Sequence, residues 1–537
     1  MNISVLSFLI AFFGFSFFAC AQQISDPNFA KAIRQECPDC IDKNNQLTKA
    51  ADTLTSLDVS GQGIKTLNGF KFPNLEYFSC DRNEITILPN LLANKLIKLS
   101  LNDNQISNLP SSLPNSLQYL FFANNQISNF PSTLGNRIKE LRCEGNNLNK
   151  LPNQLPATLE FFNCDYNQIT NLPATLPNQI KQLYCQYNGI TTLPNKLPDS
   201  LEILKCSNNQ IKFLPSQMPN SLTEISCFSN QITTLPEKLP KNLQFLDCSY
   251  NELTNLPANL PNSLLELNCQ KNKIITLPKV PNLLKKFNCS YNKITALSAP
   301  LPNSLENLDC SNNNISNLPQ LIPNNLEQLF CNNNQIKTLS SKWNNKLLNL
   351  NCSNNELVNL PDNLPSSLIG LNCQKNKIIA LPKLPNLLKN LDCSDNKITV
   401  LSAQLPNSLK NLHCGNNNLS NLPPQIPDNL EQLFCDNNQI KTLSSKWNNK
   451  LLNLDCSNNE LKSLPENLPK NMTRLICSNN PMEKIPFLPI TLTHLDTRYT
   501  KVTCIPNALP NIIIIDPNTE FFSNKICGTV RLREVKK

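Results

Sequence analysis

The sequence predicts a solenoid: short parallel strands stacked as a ladder, an extended return on the opposite side, and a small helical cap at the N-terminus. Three observations predict it. The chain repeats a unit of 21 residues, typified by Leu243-Gln-Phe-Leu246-Asp-Cys248-Ser-Tyr-Asn251-Glu-Leu253-Thr-Asn-Leu256-Pro257-Ala-Asn-Leu260-Pro261. Leucine, leucine and cysteine hold its first, fourth and sixth positions. Prolines then recur four residues apart in its second half. Twenty-two such units open at Leu54 and close with the one that starts at Leu492.

That spacing puts Leu243, Leu246 and Cys248 on one side and Phe245, Asp247 and Ser249 on the other, which is a strand. One strand cannot bury its apolar side alone, so successive units must cover one another. At about 4.8 Å per rung, the units give a ladder about 100 Å long. Leu253, Leu256 and Leu260 complete the inner wall. Pro257 and Pro261 fix φ and lack an N–H, so the return is extended or polyproline-like rather than helical.

A period of 20–29 residues with this spacing resembles the leucine-rich repeat family, over roughly residues 54–510. The L-P-x-x-L-P return resembles the short subtype of exported bacterial members, here with Cys at the sixth position. The resemblance implies a horseshoe or arc with a parallel β-sheet on its concave face and extended convex segments. It also implies that the ninth-position Asn is buried in a ladder satisfying backbone groups of adjacent turns. Asn holds that position in 20 of the 22 units; Gln62 and Thr500 replace it at the two ends. An amide carries both donors and an acceptor, which suits the task.

Residues 1–21 are apolar from Ile3 to Ala19, and Ala19-Cys20-Ala21 fits a small-x-small cleavage site. They read as a signal peptide leaving Gln22 first, although no Lys or Arg precedes the apolar run. Lipidation at Cys20 is the alternative, with Phe17 a poor match to the aliphatic residue such a signal prefers. Either way the protein is secreted or at the cell surface. Residues 22–53 form the N-terminal cap: Asp26 and Pro27 start a helix with Phe29, Ala30 and Ile33 on one face. Cys37 and Cys40 within it are disulfide candidates in an oxidising compartment. Repeats occupy 54–502. Residues 503–537 form a C-terminal cap and basic tail, with Cys504 and Cys527 a second candidate pair.

Of 23 cysteines, 18 occupy the sixth repeat position, where Val59, Leu101 and Phe122 also occur. That exchange identifies a small buried hydrophobe. One ligand per rung with no His or carboxylate beside it builds no metal site. The two histidines, His413 and His494, have no nucleophile partner, and no glycine-rich phosphate loop is present. No enzyme and no cofactor is therefore expected. A net charge of +9, scattered over 537 residues, gives no nucleic-acid patch. The membrane is reached only through the lipid anchor, if Cys20 carries one.

The early repeats place aromatic residues on the outward strand positions: Tyr77, Tyr119, Phe121, Phe161, Tyr184 and Phe245. Tyr166, Tyr187, Tyr250 and Tyr291 follow just after the strands. Later repeats carry Asn, Ser and Asp there, and the segment from Gln335 through Trp343 recurs unchanged from Gln439 through Trp447, a block duplication. Exposed rigid rings mark binding surfaces; stacked rings also brace neighbouring strands. The reading is a non-catalytic protein that binds a protein or glycan ligand on the concave aromatic strip, the polar half extending its reach. The alternatives are a structural spacer or adhesin of the cell envelope, and an effector similar to the bacterial repeat-bearing ubiquitin ligases. The 27 residues after Pro510 are too few for such a ligase's catalytic domain.

Overall fold

The computed structural model describes residues 23–507, apart from 90, 91, 132, 402 and 403, together with 526 and 527. The leader, Cys20 and the basic tail lie outside the described residues. The chain divides into two compact units, residues 1–190 and 191–537.

In the first unit, helix α1 (Pro27–Glu36) opens on Asp26. One Asp26 carboxylate oxygen accepts from the N–H groups of Asn28 and Phe29, at 2.8 and 3.0 Å. The other accepts from Lys65 and Thr66 of the first repeat, at 2.8 and 3.1 Å. One side chain thus caps the helix and ties it to the solenoid. Burial alone would raise this carboxyl's pKa, but the four N–H donors outweigh it and hold it below the usual value. Cys37 and Cys40 are joined by a disulfide, bracketing a short 3-10 turn. Seven three-residue strands follow: β1 (Ser56–Asp58), β2 (Tyr77–Ser79), β3 (Lys98–Ser100), β4 (Tyr119–Phe121), β5 (Glu140–Arg142), β6 (Phe161–Asn163) and β7 (Gln182–Tyr184). Each pairs in parallel with the next, third position opposite third position.

The second unit repeats the pattern from β8 (Ile203–Lys205) to β22 (His494–Asp496). Strand pairing is again parallel and rung to rung, as in Phe245 opposite Glu266. Among the described residues the return segments carry neither helix nor strand, and Cys504 is bonded to Cys527 beyond the last repeat.

Inside most rungs two ladders run side by side, one of Asn and one of Cys. Asn251 Oδ1 accepts from Ile232 N at 2.9 Å, and its Nδ2 donates to the carbonyls of Cys227, Cys248 and Ser249 at 3.0, 3.2 and 3.0 Å. Asn167 makes the same four bonds in the first unit. The amide therefore closes its own turn and the previous one. The 18 sixth-position cysteines are buried, and none is in a disulfide. Burial pushes the Cys248 thiol well above its usual pKa and that of Cys352 up to about 12. Some thiols also donate to the next rung, Cys143 Sγ to Asn163 O at 3.1 Å.

The eighth position turns the chain out of the strand with a left-handed φ, 53° at Tyr166 and 55° at Asn312. Asn, Asp and Gly suit that conformation, which explains their frequency there. Tyr166, Tyr187, Tyr250 and Tyr291 adopt it as well.

Candidate functional site

The outward positions of the strands are the third and fifth of each unit. In the first unit they bring four of the predicted aromatic residues together around a residue that the aromatic pattern missed. Arg142, at the fifth position of β5, places its guanidinium carbon 4.5 Å from the Phe161 ring centroid and 5.6 Å from that of Phe121. Phe161 packs on Tyr184 at 5.3 Å, and Tyr119 meets Phe121 edge-on at 6.5 Å. Lys98 Nζ lies 5.2 Å from the Phe121 ring. Arg142 Nε is fixed in turn by Glu140 Oε1 at 2.6 Å. Cation and ring faces attract through the ring quadrupole, so the cluster is stiff before any ligand arrives. Its rings are half-buried rather than open to solvent. The signal for Arg142 was available in the sequence: a cation on the rung between Phe121 and Phe161, outward-facing and in register with Phe121.

Two predicted residues do not join this cluster. Tyr77 is 45 % exposed at the cap-proximal end of the first unit. Phe245 lies in the second unit. It borders a groove of about 690 Å³ whose lining includes Glu224, Glu266, Lys286, Asp309 and Phe330. The acidic groups there are partly neutralised, Glu266 by Lys286 at 2.7 Å and Glu224 by Lys205 at 3.0 Å. The turn tyrosines form a separate feature: Tyr166 and Tyr187 stack at 4.2 Å, 10° from parallel, in the first unit. In the second, Lys271 Nζ sits 4.6 Å from the Tyr250 ring.

At the seventh position a second ladder runs beneath the face. Asp165 accepts from Gln186 N at 2.6 Å, and Asn102 Oδ1 from Ala123 N at 2.8 Å. Glu144 breaks the series: its Oε2 is buried without a hydrogen-bond partner. Desolvation raises its carboxyl above the usual pKa.

Among the described residues, no group of three or more His, Cys, Asp or Glu side chains could hold a metal ion. No helix among them is long and apolar enough to cross a membrane. His413 packs against Phe434 at 4.6 Å and His494 Nδ1 meets Thr493 Oγ1 at 2.8 Å.

No family model and no curated protein matches the chain. Solved structures do. YopM from Yersinia enterocolitica WA-314 is 31 % identical with a TM-score of 0.73, over 82 % of this chain and 91 % of that one. The functional domain of InlJ from Listeria monocytogenes, described as including a cysteine ladder, is 26 % identical with a TM-score of 0.56, over 63 % and 75 % of the two chains. The Arabidopsis receptor kinase HAESA shares the fold, at 20 % identity and a TM-score of 0.57 over 90 % and 85 %.

Proposed function

The chain belongs to the leucine-rich repeat proteins, and from that premise we propose that it is an exported, non-catalytic protein that binds a protein partner on the outward face of β4–β7. The observation that carries this reading is the guanidinium of Arg142 seated between the rings of Phe121 and Phe161. Aromatic and arginine side chains dominate protein-binding hot spots, and rings already held in place lose little freedom on binding. The apolar run from Ile3 to Ala19 supports export. Tyr77 and Phe245 fall outside the binding cluster in this reading.

The test is affinity capture from the native extracellular setting with the full chain and with an Arg142→Ala, Phe161→Ala variant of unchanged melting temperature. A partner retained by the parent and lost by the variant supports the assignment. A partner retained equally by both moves the site elsewhere and leaves the rings as strand braces.

A further inference from the structure

The outward face of β14–β19 in the second unit carries amides where β4–β7 carry rings and a guanidinium. Between β14 (Gln328–Phe330) and β19 (Gln432–Phe434) lies a groove of about 470 Å³. Its polar lining is almost entirely primary amide, with Asp392 as its one carboxylate. Aromatic side chains stand at its ends: Phe330 on β14 and His413 on β18 (Asn411–His413), the latter packed on Phe434. Four rungs separate Phe330 from His413, about 19 Å.

Two features show that these amides are aimed. On β15 (Asn349–Asn351) and β16 (Gly370–Asn372), the fifth-position side chains are oriented by the turns that follow them. Asn351 Oδ1 accepts from Ser353 N at 3.1 Å and Ser353 Oγ at 2.8 Å, and Asn372 Oδ1 accepts from Gln374 N at 3.0 Å. The oxygen of each amide is thereby committed to the turn. Neither Nδ2 donates to another described protein group, so each leaves a donor pair at the groove on adjacent rungs.

The second feature is Gly370. It is the one glycine at the third strand position, and a Cβ there would collide with the Asn349 amide oxygen. The glycine lets the Asn349 amide lie across β16, with its Nδ2 bonded to Gln328 Oε1 at 3.0 Å. In the second copy of the duplicated block, Asn453 faces Arg474 instead. The hollow therefore belongs to one copy alone.

We propose that this groove binds a linear, uncharged oligosaccharide. Sugar hydroxyls and ring oxygens accept as well as donate, and the Nδ2 donors of Asn351 and Asn372 stand on adjacent rungs to meet them. The C–H-rich faces of pyranose rings pack on aromatic faces such as those that close the groove. With Asp392 as its one carboxylate, the floor offers a charged partner little to pair with, and its hydrogen-bonding groups are amides. The site is independent of the protein-binding cluster on β4–β7.

The experiment is isothermal titration of the full chain with cellotetraose, chitotetraose, maltotetraose and a sulfated heparin tetrasaccharide. At least one neutral tetrasaccharide is expected to bind with a Kd below about 1 mM. Gly370→Asn fills the hollow with the residue that β15, β17 (Asn390–Asp392) and β18 carry at the same position, and only the Asn349 side chain has to move to admit its Cβ. It should weaken binding at least tenfold, as should Asn351→Ala with Asn372→Ala, whereas Phe161→Ala should leave it unchanged. If the double variant does not fold, Gly370→Asn alone decides. The proposal is overturned if no neutral tetrasaccharide binds, if only the sulfated one does, or if Gly370→Asn binds as the parent does.

Discussion

Strands β4–β7 and β14–β19 are built on one rung and present opposite chemistries. Inward, both carry large apolar residues at the first and fourth positions, all leucine in the second stretch and with Ile138, Phe162 and Ile180 among the leucines of the first, and Asn closes the turn; Cys fills the sixth position except after β4, where Phe122 does. Outward, the first stretch stacks Phe121, Arg142, Phe161 and Tyr184, while the second lays out Gln328, Asn349, Asn351 and Asn372. The alternation of a strand keeps the two sides independent. Each rung contacts only its neighbours, so a face is free to change locally while the interior lattice is kept.

The largest effects should come from what the two stretches share. Asn167→Ala and Asn355→Ala each strand one buried N–H and several carbonyls, and each should cost about 3–5 kcal/mol. Denaturant unfolding of the full chain measures it; if one site is silent, the two stretches do not share a lattice. Next comes what separates them. Arg142→Ala should cost about 2 kcal/mol in affinity for a captured protein partner, roughly thirtyfold. Asn351→Ala should leave that affinity unchanged, and equal losses in surface plasmon resonance would erase the contrast.

A smaller effect is expected at the thiols. Cys143→Ala and Cys248→Ala, one in each unit, should each lose about 1 kcal/mol through packing alone. The buried thiols should resist iodoacetamide until the chain is denatured, since a raised pKa leaves little thiolate. Mass spectrometry of native and denatured protein reads both states.

The smallest effect is a pH dependence, with a sign that differs between positions. Glu144 in the first unit and Asp436 in the second are raised, each chiefly by desolvation. Their folded states favour the protonated form. The penalty is absent below the unfolded pKa and grows as pH rises through the folded value. Glu144→Gln and Asp436→Asn should therefore melt higher than the parent at pH 7 and lose that advantage near pH 4. Asp26 has the opposite sign: its folded pKa is lowered by backbone donors, so its stabilisation is present above the unfolded value and lost as pH falls through the folded one. Asp26→Asn should lower the melting temperature at pH 7. Melting curves at pH 4 and pH 7 check all three.

The rung was legible in the sequence because one residue type served one physical need at each position. Leucine and cysteine spacing gave the strand, and proline spacing denied a helix to the return. The exchange of Cys with Val, Leu and Phe identified a buried apolar site. Asp26 with Pro27 marked the helix start. The face was only partly legible. Six aromatic residues were visible as a pattern, but Arg142 is not aromatic, and a ring-by-ring reading passed over it. The eighth-position tyrosines looked like part of the same strip, yet the left-handed turn carries them away from the strand register.

The sequence by itself determined what repetition enforces: the period, the strand register, the inward residues and the identity of the family. Every unit solves the same burial problem, so the answer is written many times over. Tertiary structure alone decided which outward groups meet. Whether Arg142 lies over Phe161, whether Glu144 finds a partner, and whether Gly370 opens a hollow for Asn349 each depend on side-chain directions across neighbouring rungs. Those directions are set by packing between units some 21 residues apart, and a linear pattern does not contain them.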